Sequence, residues 1–364
     1  MTEYVVPSIL MALGLVILTG GGEVLVRGAS RLAVAARISP LVVGLTVVAY
    51  GTSSPELAVA IQASLAGQAD IAVGNVVGSN ICNVLLVLGL SALVAPLVVA
   101  SQLIRFDVPI MIGVSILAFL LGLDHRISRV DGLILLAGAV LYSSWVVFQS
   151  RRESGEVKAE YAESLPPGRF AGWRAVLANG ALIVLGLVLL GLGSRWLVDG
   201  AVSVARLLGI SELVIGLTIV ALGTSLPELV TSVVASIRGA RDIAVGNIVG
   251  SNMFNILLVL GTAGALSPDG VHVSETALRL DMPVMIIVAV ACLPIFFTGN
   301  RIARWEGGLF LGYYAAYIAF LVLDSVGSPG VRTLDAILTW FALPLTAVTL
   351  AVSVFRHFRV QNRS

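Results

Sequence analysis

Charge is scarce in this 364-residue chain: Asp, Glu, Lys and Arg together make up 12%. A soluble globular domain carries roughly 25%. A water-soluble enzyme of this length is therefore excluded, because too little polar surface exists to cover it. Basic excess is also missing. The formal net charge of +1 argues against a nucleic-acid binder. Only two cysteines are present, Cys82 and Cys292, both inside apolar runs. No disulfide scaffold or cysteine-rich metal site is available. No basic segment precedes the first apolar run (Met1-Thr2-Glu3-Tyr4-Val5), so a cleaved signal peptide is not expected. What the chain has instead is hydrophobicity, 58% of residues, which also excludes disorder.

A bilayer core about 30 Å thick needs roughly 20 apolar helical residues to cross it. Eleven runs meet that need, near 7–27, 40–66, 71–99, 107–123, 130–149, 171–194, 212–237, 243–266, 281–299, 306–324 and 333–355. The one long hydrophilic connection is 151–170, whose Glu/Lys/Ser/Pro composition predicts a loop between two halves. Lys and Arg concentrate on cytoplasmic ends of spans. With the N-terminus outside, 16 of the 22 basic residues fall on inside ends and 6 on outside ends. The expected protein is a multi-pass protein of the cell (inner) membrane, with the loop and C-terminus in the cytoplasm.

Residues 44–89 and 216–261 are copies of one another at a constant offset of 172, with 30 identities in 46 positions. Shared hydrophobicity alone would not keep Thr, Ser, Pro, Glu, Asp and Asn at matching places. Five spans separate equivalent points, so the second copy is inverted. Inverted repeats with interrupted polar helices characterise transporters that bind substrate at the bilayer midplane. The predicted fold is an all-α polytopic membrane protein of two inverted five-helix repeats plus an extra C-terminal helix. Its first half is 1–150, its second 171–326, and 327–364 is the extra helix and tail.

Each copy carries a Gly-Thr-Ser-x-Pro-Glu segment, ending in Pro55-Glu56 and Pro227-Glu228. A carboxylate at mid-helix costs roughly 2.5–3.5 kcal/mol on insertion scales. Two at equivalent depth need a reason. Thr52 and Glu56 are i and i+4 and share a helix face, as do Thr224 and Glu228. Pro55 and Pro227 crowd the carbonyls of Gly51 and Gly223, so backbone oxygens are expected to be freed beside each Glu. The second helix of each copy adds Ser79 with Asn83, and Ser251 with Asn255, again i and i+4. Carboxylates, hydroxyls and carbonyls form an all-oxygen set of formal charge −2, suited to hard cations such as Ca²⁺ and Na⁺.

Taken singly, Thr52 or Ser79 reads as a packing residue, and Gly74, Gly78, Gly246 and Gly250 as close-approach positions. Glu23 with Arg27, and Arg195 with Asp199, read as surface ion pairs. The symmetric glutamates resist such an explanation.

Gly51-Thr52-Ser53-Ser54-Pro55-Glu56 with Gly78-Ser79-Asn80-Ile81-Cys82-Asn83, and their second copies, resemble the two repeats of the cation/calcium exchanger superfamily, in its prokaryotic sodium/calcium branch. The resemblance implies a secondary antiporter, not an enzyme, that exchanges Na⁺ for Ca²⁺ by alternating access. It implies Glu56 and Glu228 as ligands shared by both ions, with Ca²⁺-coordinating oxygens from Thr52 and Thr224. It further implies Ser53, Ser225, Ser79 and Ser251 at flanking Na⁺ sites, backbone oxygens of Ala49 and Ala221 nearby, and Asn83 and Asn255 facing the centre. Some relatives have Asp where this chain has Asn255, which makes K⁺ co-transport less expected here. The implied partners are the transported Ca²⁺ and Na⁺ and the lipid bilayer, with no cofactor and no nucleic acid. The oxygen set leaves another cation pair open, H⁺/Ca²⁺ or Na⁺/Mg²⁺, and a cation channel is the rival class. A serine enzyme is disfavoured, because no intramembrane His or Lys stands beside Ser53 or Ser225 to activate it.

Overall fold

The computed structural model describes residues 2–36, 38–152, 173–210, 212–297, 300–328 and 330–339, and five more between 343 and 351. Helix α1 is Thr2–Ala36. Helix α2 is a bent pair, Pro40–Thr52 and Ser54–Leu65, with 43° between its pieces. Then come α3 (Ile71–Val94), α4 (Leu103–Leu121), α5 (Arg129–Arg152) and α6 (Trp173–Leu207). Helix α7 is in pieces, Glu212–Ile215, Gly216–Val220, Ala221–Gly223 and Leu226–Ile237. It is followed by α8 (Arg241–Leu266), α9 (Ala277–Phe297), α10 (Arg304–Ser325) and α11 (Gly330–Ile337).

Among the described residues, eight helices are long and apolar enough to cross a membrane, and the bent α2 makes a ninth. The seventh run is interrupted, so only its Leu226–Ile237 piece forms a longer apolar helix. The expected loop at 151–170 begins later than composition suggested, since Arg151 and Arg152 still belong to α5. Its remainder, and most of the eleventh run at 333–355, lie outside the described residues.

Helices α3 and α8 form the centre, 78% and 94% buried over their most apolar windows, against 33% for α1 and 28% for α6. The 172-residue offset extends to α1 and α6. Gly14, Gly21 and Gly28 correspond to Gly186, Gly193 and Gly200, each set spaced by seven. These glycines bring the two backbones into contact. A Cβ on Gly14 would stand 2.5 Å from the Leu197 nitrogen, and one on Gly193 would stand 2.5 Å from that of Leu18. Apolar side chains gain little by association in lipid, so such close approach is what holds membrane helices together. The contacts run antiparallel, Gly14 against Leu197 and Gly28 against Ile183, which is the geometry an inverted repeat demands.

Two short antiparallel ribbons tie the halves together. Leu97–Val98 pairs with Arg301–Ile302, and Arg126–Ile127 with Val271–His272. Two further acids recur as counterparts. The Tyr142 hydroxyl donates to Asp107 at 3.0 Å, and the Tyr317 hydroxyl donates to Asp281 at 3.1 Å. Each bond fastens a helix to the start of its predecessor, and each acid closes a π-helical turn, Leu103–Asp107 or Ala277–Asp281.

Candidate cation site

The site is assembled from the two breaks. In α2 the helix stops at Ser53, whose φ and ψ are −79° and 5°, and restarts at Ser54. In α7 Ser225 has nearly the same angles, −86° and 3°. Proline two residues on cannot donate to the preceding turn, which accounts for both stops. The Gly51 carbonyl accepts the Ser54 hydroxyl. The Gly223 carbonyl accepts the Ser194 hydroxyl of α6 at 2.7 Å. The two oxygens crowded by the prolines thus each accept one serine hydroxyl and keep a second lone pair. Ala49 is buried and its carbonyl accepts the Ser53 amide at 3.0 Å, whereas Ala221 is exposed.

Restarting the helix places Glu56 and Glu228 in the first turn of a new helix. The positive end of the helix dipole favours a carboxylate there. Both side chains are 0% exposed. The hydroxyls of Thr224, Ser225 and Ser79 lie around the Glu56 carboxylate, yet neither of its oxygens has a hydrogen-bond partner. The hydroxyls of Thr52 and Ser53 lie around Glu228. Ser53 donates to Glu228 Oε1 at 3.3 Å, while Oε2 has no partner. The Glu228 carboxylate lies within electrostatic reach of Glu56. Ser225 donates to Ser79 at 3.3 Å, and Thr52 stands 3.5 Å from Ser251. Each acid is therefore surrounded mainly by hydroxyls of the opposite copy, which is how the inversion joins them.

Asn83 and Asn255 are buried where α3 and α8 each enter a π-helical turn, Asn83–Leu88 and Asn255–Leu260. Such turns cluster at functional sites because they re-aim side chains. Asn83 has no partner at either amide atom. Asn255 donates to Asn80 Oδ1 at 3.1 Å and leaves its own oxygen unpartnered. Thr224 is half-buried, whereas Thr52, Ser53, Ser225, Ser79 and Ser251 are buried.

Sequence reasoning passed over Asn75 and Asn247. Thr52 donates to Asn247 Oδ1 at 3.1 Å and Thr224 to Asn75 Oδ1 at 3.5 Å. The signal was available, because each lies four residues before Ser79 or Ser251 and so shares its helix face.

A buried, doubly acidic cluster rich in hydroxyl and amide oxygens has the donor chemistry that hard cations take. The family model described as sodium/calcium exchanger protein matches residues 7–150 and again 179–323. The CaxA protein of Alkalimonas amylolytica is 41% identical over 317 residues, 86% of this chain and 97% of that protein. The sodium/calcium exchanger MaX1 of Methanosarcina acetivorans is 35% identical over 351 residues, covering 86% and 97%. The solved sodium/calcium exchanger from Methanococcus jannaschii is similar with a TM-score of 0.72 and 34% identity, covering 87% of this chain and 98% of that one. The chain belongs to the sodium/calcium exchanger protein family.

Proposed function

We propose that this chain is a secondary antiporter that exchanges Na⁺ for Ca²⁺ across the cell membrane by alternating access, with Glu56 and Glu228 as shared ligands. The observation that carries the reading is that three of the four oxygens of this fully buried pair, Glu56 Oε1 and Oε2 and Glu228 Oε2, lack a hydrogen-bond partner among the described residues. A buried carboxylate without a partner is costly, and a bound cation or a proton relieves that cost. Thr52, Thr224, Ser53, Ser225, Ser79, Ser251, Asn83, Asn255 and the backbone at Ala49 and Ala221 complete the oxygen set. The decisive experiment is ⁴⁵Ca²⁺ uptake into proteoliposomes driven by an outward Na⁺ gradient. Uptake that saturates and requires Na⁺ on the opposite side supports exchange. Flux independent of the opposite ion indicates a channel.

Alternation is supported by an asymmetry between identical motifs. A Cβ on Gly246 would meet the Leu41 carbonyl oxygen at 2.8 Å, and one on Gly250 the Leu45 oxygen at 2.7 Å. Among the described residues, nothing lies within 4 Å of a Cβ on their counterparts Gly74 and Gly78. Gly44 meets Ile243 at 2.9 Å, while its counterpart Gly216 meets none of the described residues within 4 Å. The start of α2 is thus closed onto α8, and the start of α7 stands off α3. With the N-terminus outside and the C-terminus inside, the closed end is cytoplasmic and the open end is external. Exchanging the two arrangements would expose the site to the other side.

One Ca²⁺ neutralises the acid pair, whereas three Na⁺ leave one positive charge. An exchange in that ratio moves net charge, worth about 2.3 kcal/mol per 100 mV. Ca²⁺ uptake should therefore rise when the vesicle interior is made positive with valinomycin and K⁺, since the entering dication is outweighed by departing Na⁺. Uptake indifferent to the clamp would exclude electrogenic exchange.

Asn255→Asp should fold and shift ion selectivity. It removes the donor to Asn80 and adds a third acid beside the pair. Competition of K⁺ and Na⁺ against ⁴⁵Ca²⁺ binding reads the shift, and an unchanged pattern would place Asn255 outside the site.

A further inference from the structure

We propose that Asn247, with its repeat counterpart Asn75, is a positioning residue that aims the threonine hydroxyls of the cation site; this rests on the reading of Glu56 and Glu228 as cation ligands. A threonine hydroxyl has one proton and two lone pairs, and it rotates to suit its neighbours. Beside an ionised carboxylate it turns its proton toward the acid, because a charge-assisted hydrogen bond is the stronger one. In that orientation it satisfies the carboxylate and presents a positive hydrogen to an arriving cation. Asn247 offers the proton another acceptor. Thr52 Oγ1 donates to Asn247 Oδ1 at 3.1 Å, whereas Ala49 O and Ser251 Oγ stand at 3.5 Å. With the proton committed to Asn247, the Thr52 lone pairs are left for the ion held by Glu228.

This works only if the amide keeps its oxygen toward Thr52. A flipped amide would present NH₂ and push the hydroxyl proton back toward the acid. Ser232 favours the unflipped orientation, because its Oγ accepts from Asn247 Nδ2 at 3.0 Å while donating to the Ala244 carbonyl at 3.5 Å, a bond the hydroxyl would give up to serve a flipped amide. Thr52, Asn247, Ser232 and Ala244 thus form a one-way chain ending on the backbone, and the side chains of the first three are 0–1% exposed. The other copy reaches the same orientation by different means. The counterpart of Ser232 is Ala60, which has no hydroxyl. There Asn75 Nδ2 donates instead to the main-chain oxygen of Glu56 at 3.1 Å, and Asn75 Oδ1 accepts from Thr224 at 3.5 Å. Two unrelated anchors that fix one amide orientation point to the orientation itself as what matters.

The test is equilibrium ⁴⁵Ca²⁺ binding to the purified full-length protein, with thermal unfolding in Ca²⁺-free buffer as the check on folding. Asn247→Leu should raise the half-saturating Ca²⁺ concentration about tenfold, the effect of one hydrogen bond to a charged site. On a Thr52→Val background, which has no hydroxyl to aim, the same substitution should change nothing further. A packing role would weaken binding equally on both backgrounds. Ser232→Ala, which only frees the amide to turn, should give a smaller shift in the same direction that also vanishes with Thr52→Val. It decides the matter should Asn247→Leu fail to fold. Unchanged affinity, or additive losses in the double variants, overturns the proposal. Absence of saturable Ca²⁺ binding in the unsubstituted protein is a separate result and overturns the site reading instead.

Discussion

Glu56→Gln and Glu228→Gln are each expected to abolish Na⁺-driven Ca²⁺ uptake while leaving the protein folded. Gln keeps the shape of Glu and removes only the charge, so the formal charge of the cluster falls from −2 to −1. Breaking a buried ionic arrangement by removing one partner costs about 3–5 kcal/mol, or a Ca²⁺ affinity lower by roughly two to four orders of magnitude. The sign of the stability change separates this reading from a structural one. In Ca²⁺-free and Na⁺-free buffer the two acids repel, and three of their oxygens have no partner. Removing one charge should then leave the unfolding midpoint unchanged or raise it. Added Ca²⁺ should stabilise the parent protein and not the variants, because a ligand stabilises only the state that binds it. A Gln variant that unfolds at lower temperature without ions would show that the carboxylate serves the fold, and retained uptake would sink the assignment.

Much of this was legible in the chain, for identifiable reasons. Polarity against a background of 58% apolar residues makes Glu56 and Glu228 conspicuous. An ungapped offset of 172 makes their equivalence conspicuous, and an odd number of intervening spans gives the inversion. The prolines marked both breaks, and the breaks lie at Ser53 and Ser225. What sequence could not give was partnership. Proline shows that the Gly223 carbonyl loses its donor, but not that Ser194 on another helix replaces it. Periodicity puts Asn75 on the face of Ser79, but not its oxygen against Thr224. Asp107 and Asp281 drew no attention because each lies near a span end, where an acid passes as solvated. Yet Asp107 is fully buried and takes a hydrogen bond from Tyr142. The seven-residue glycine spacing in α1 and α6 was equally visible but has no meaning until the two backbones are seen to touch.

The sharpest consequence of the duplication is that one substitution should have opposite effects in the two copies. Gly78 and Gly250 occupy the same place in the repeated Gly-Ser-Asn motif. At Gly250 a Cβ would meet Leu45 O at 2.7 Å and Ala49 Cβ at 2.8 Å, so Gly250→Val cannot coexist with the closed contact between α2 and α8. Among the described residues nothing lies within 4 Å of a Cβ at Gly78, so the present conformation offers a side chain there open space. If α7 must close onto α3 as α2 closes onto α8, valine at 78 forbids that second arrangement. Overpacking of this kind costs about 1–3 kcal/mol, enough to depress the disfavoured state by roughly five- to 150-fold. Gly78→Val is thus expected to bind ⁴⁵Ca²⁺ within about threefold of the parent, an ordinary surface-level change in free energy, while exchange falls at least about fivefold. A cysteine placed at Val220, which is 49% exposed on the open side, reports the populations directly through its rate of labelling by an impermeant maleimide. Labelling should hold or quicken with Gly78→Val and slow with Gly250→Val. The native Cys82 and Cys292 are buried and contribute little background. Wild-type exchange by Gly78→Val would mean that the empty face of α3 never receives α7, and the alternation would have to proceed by another movement.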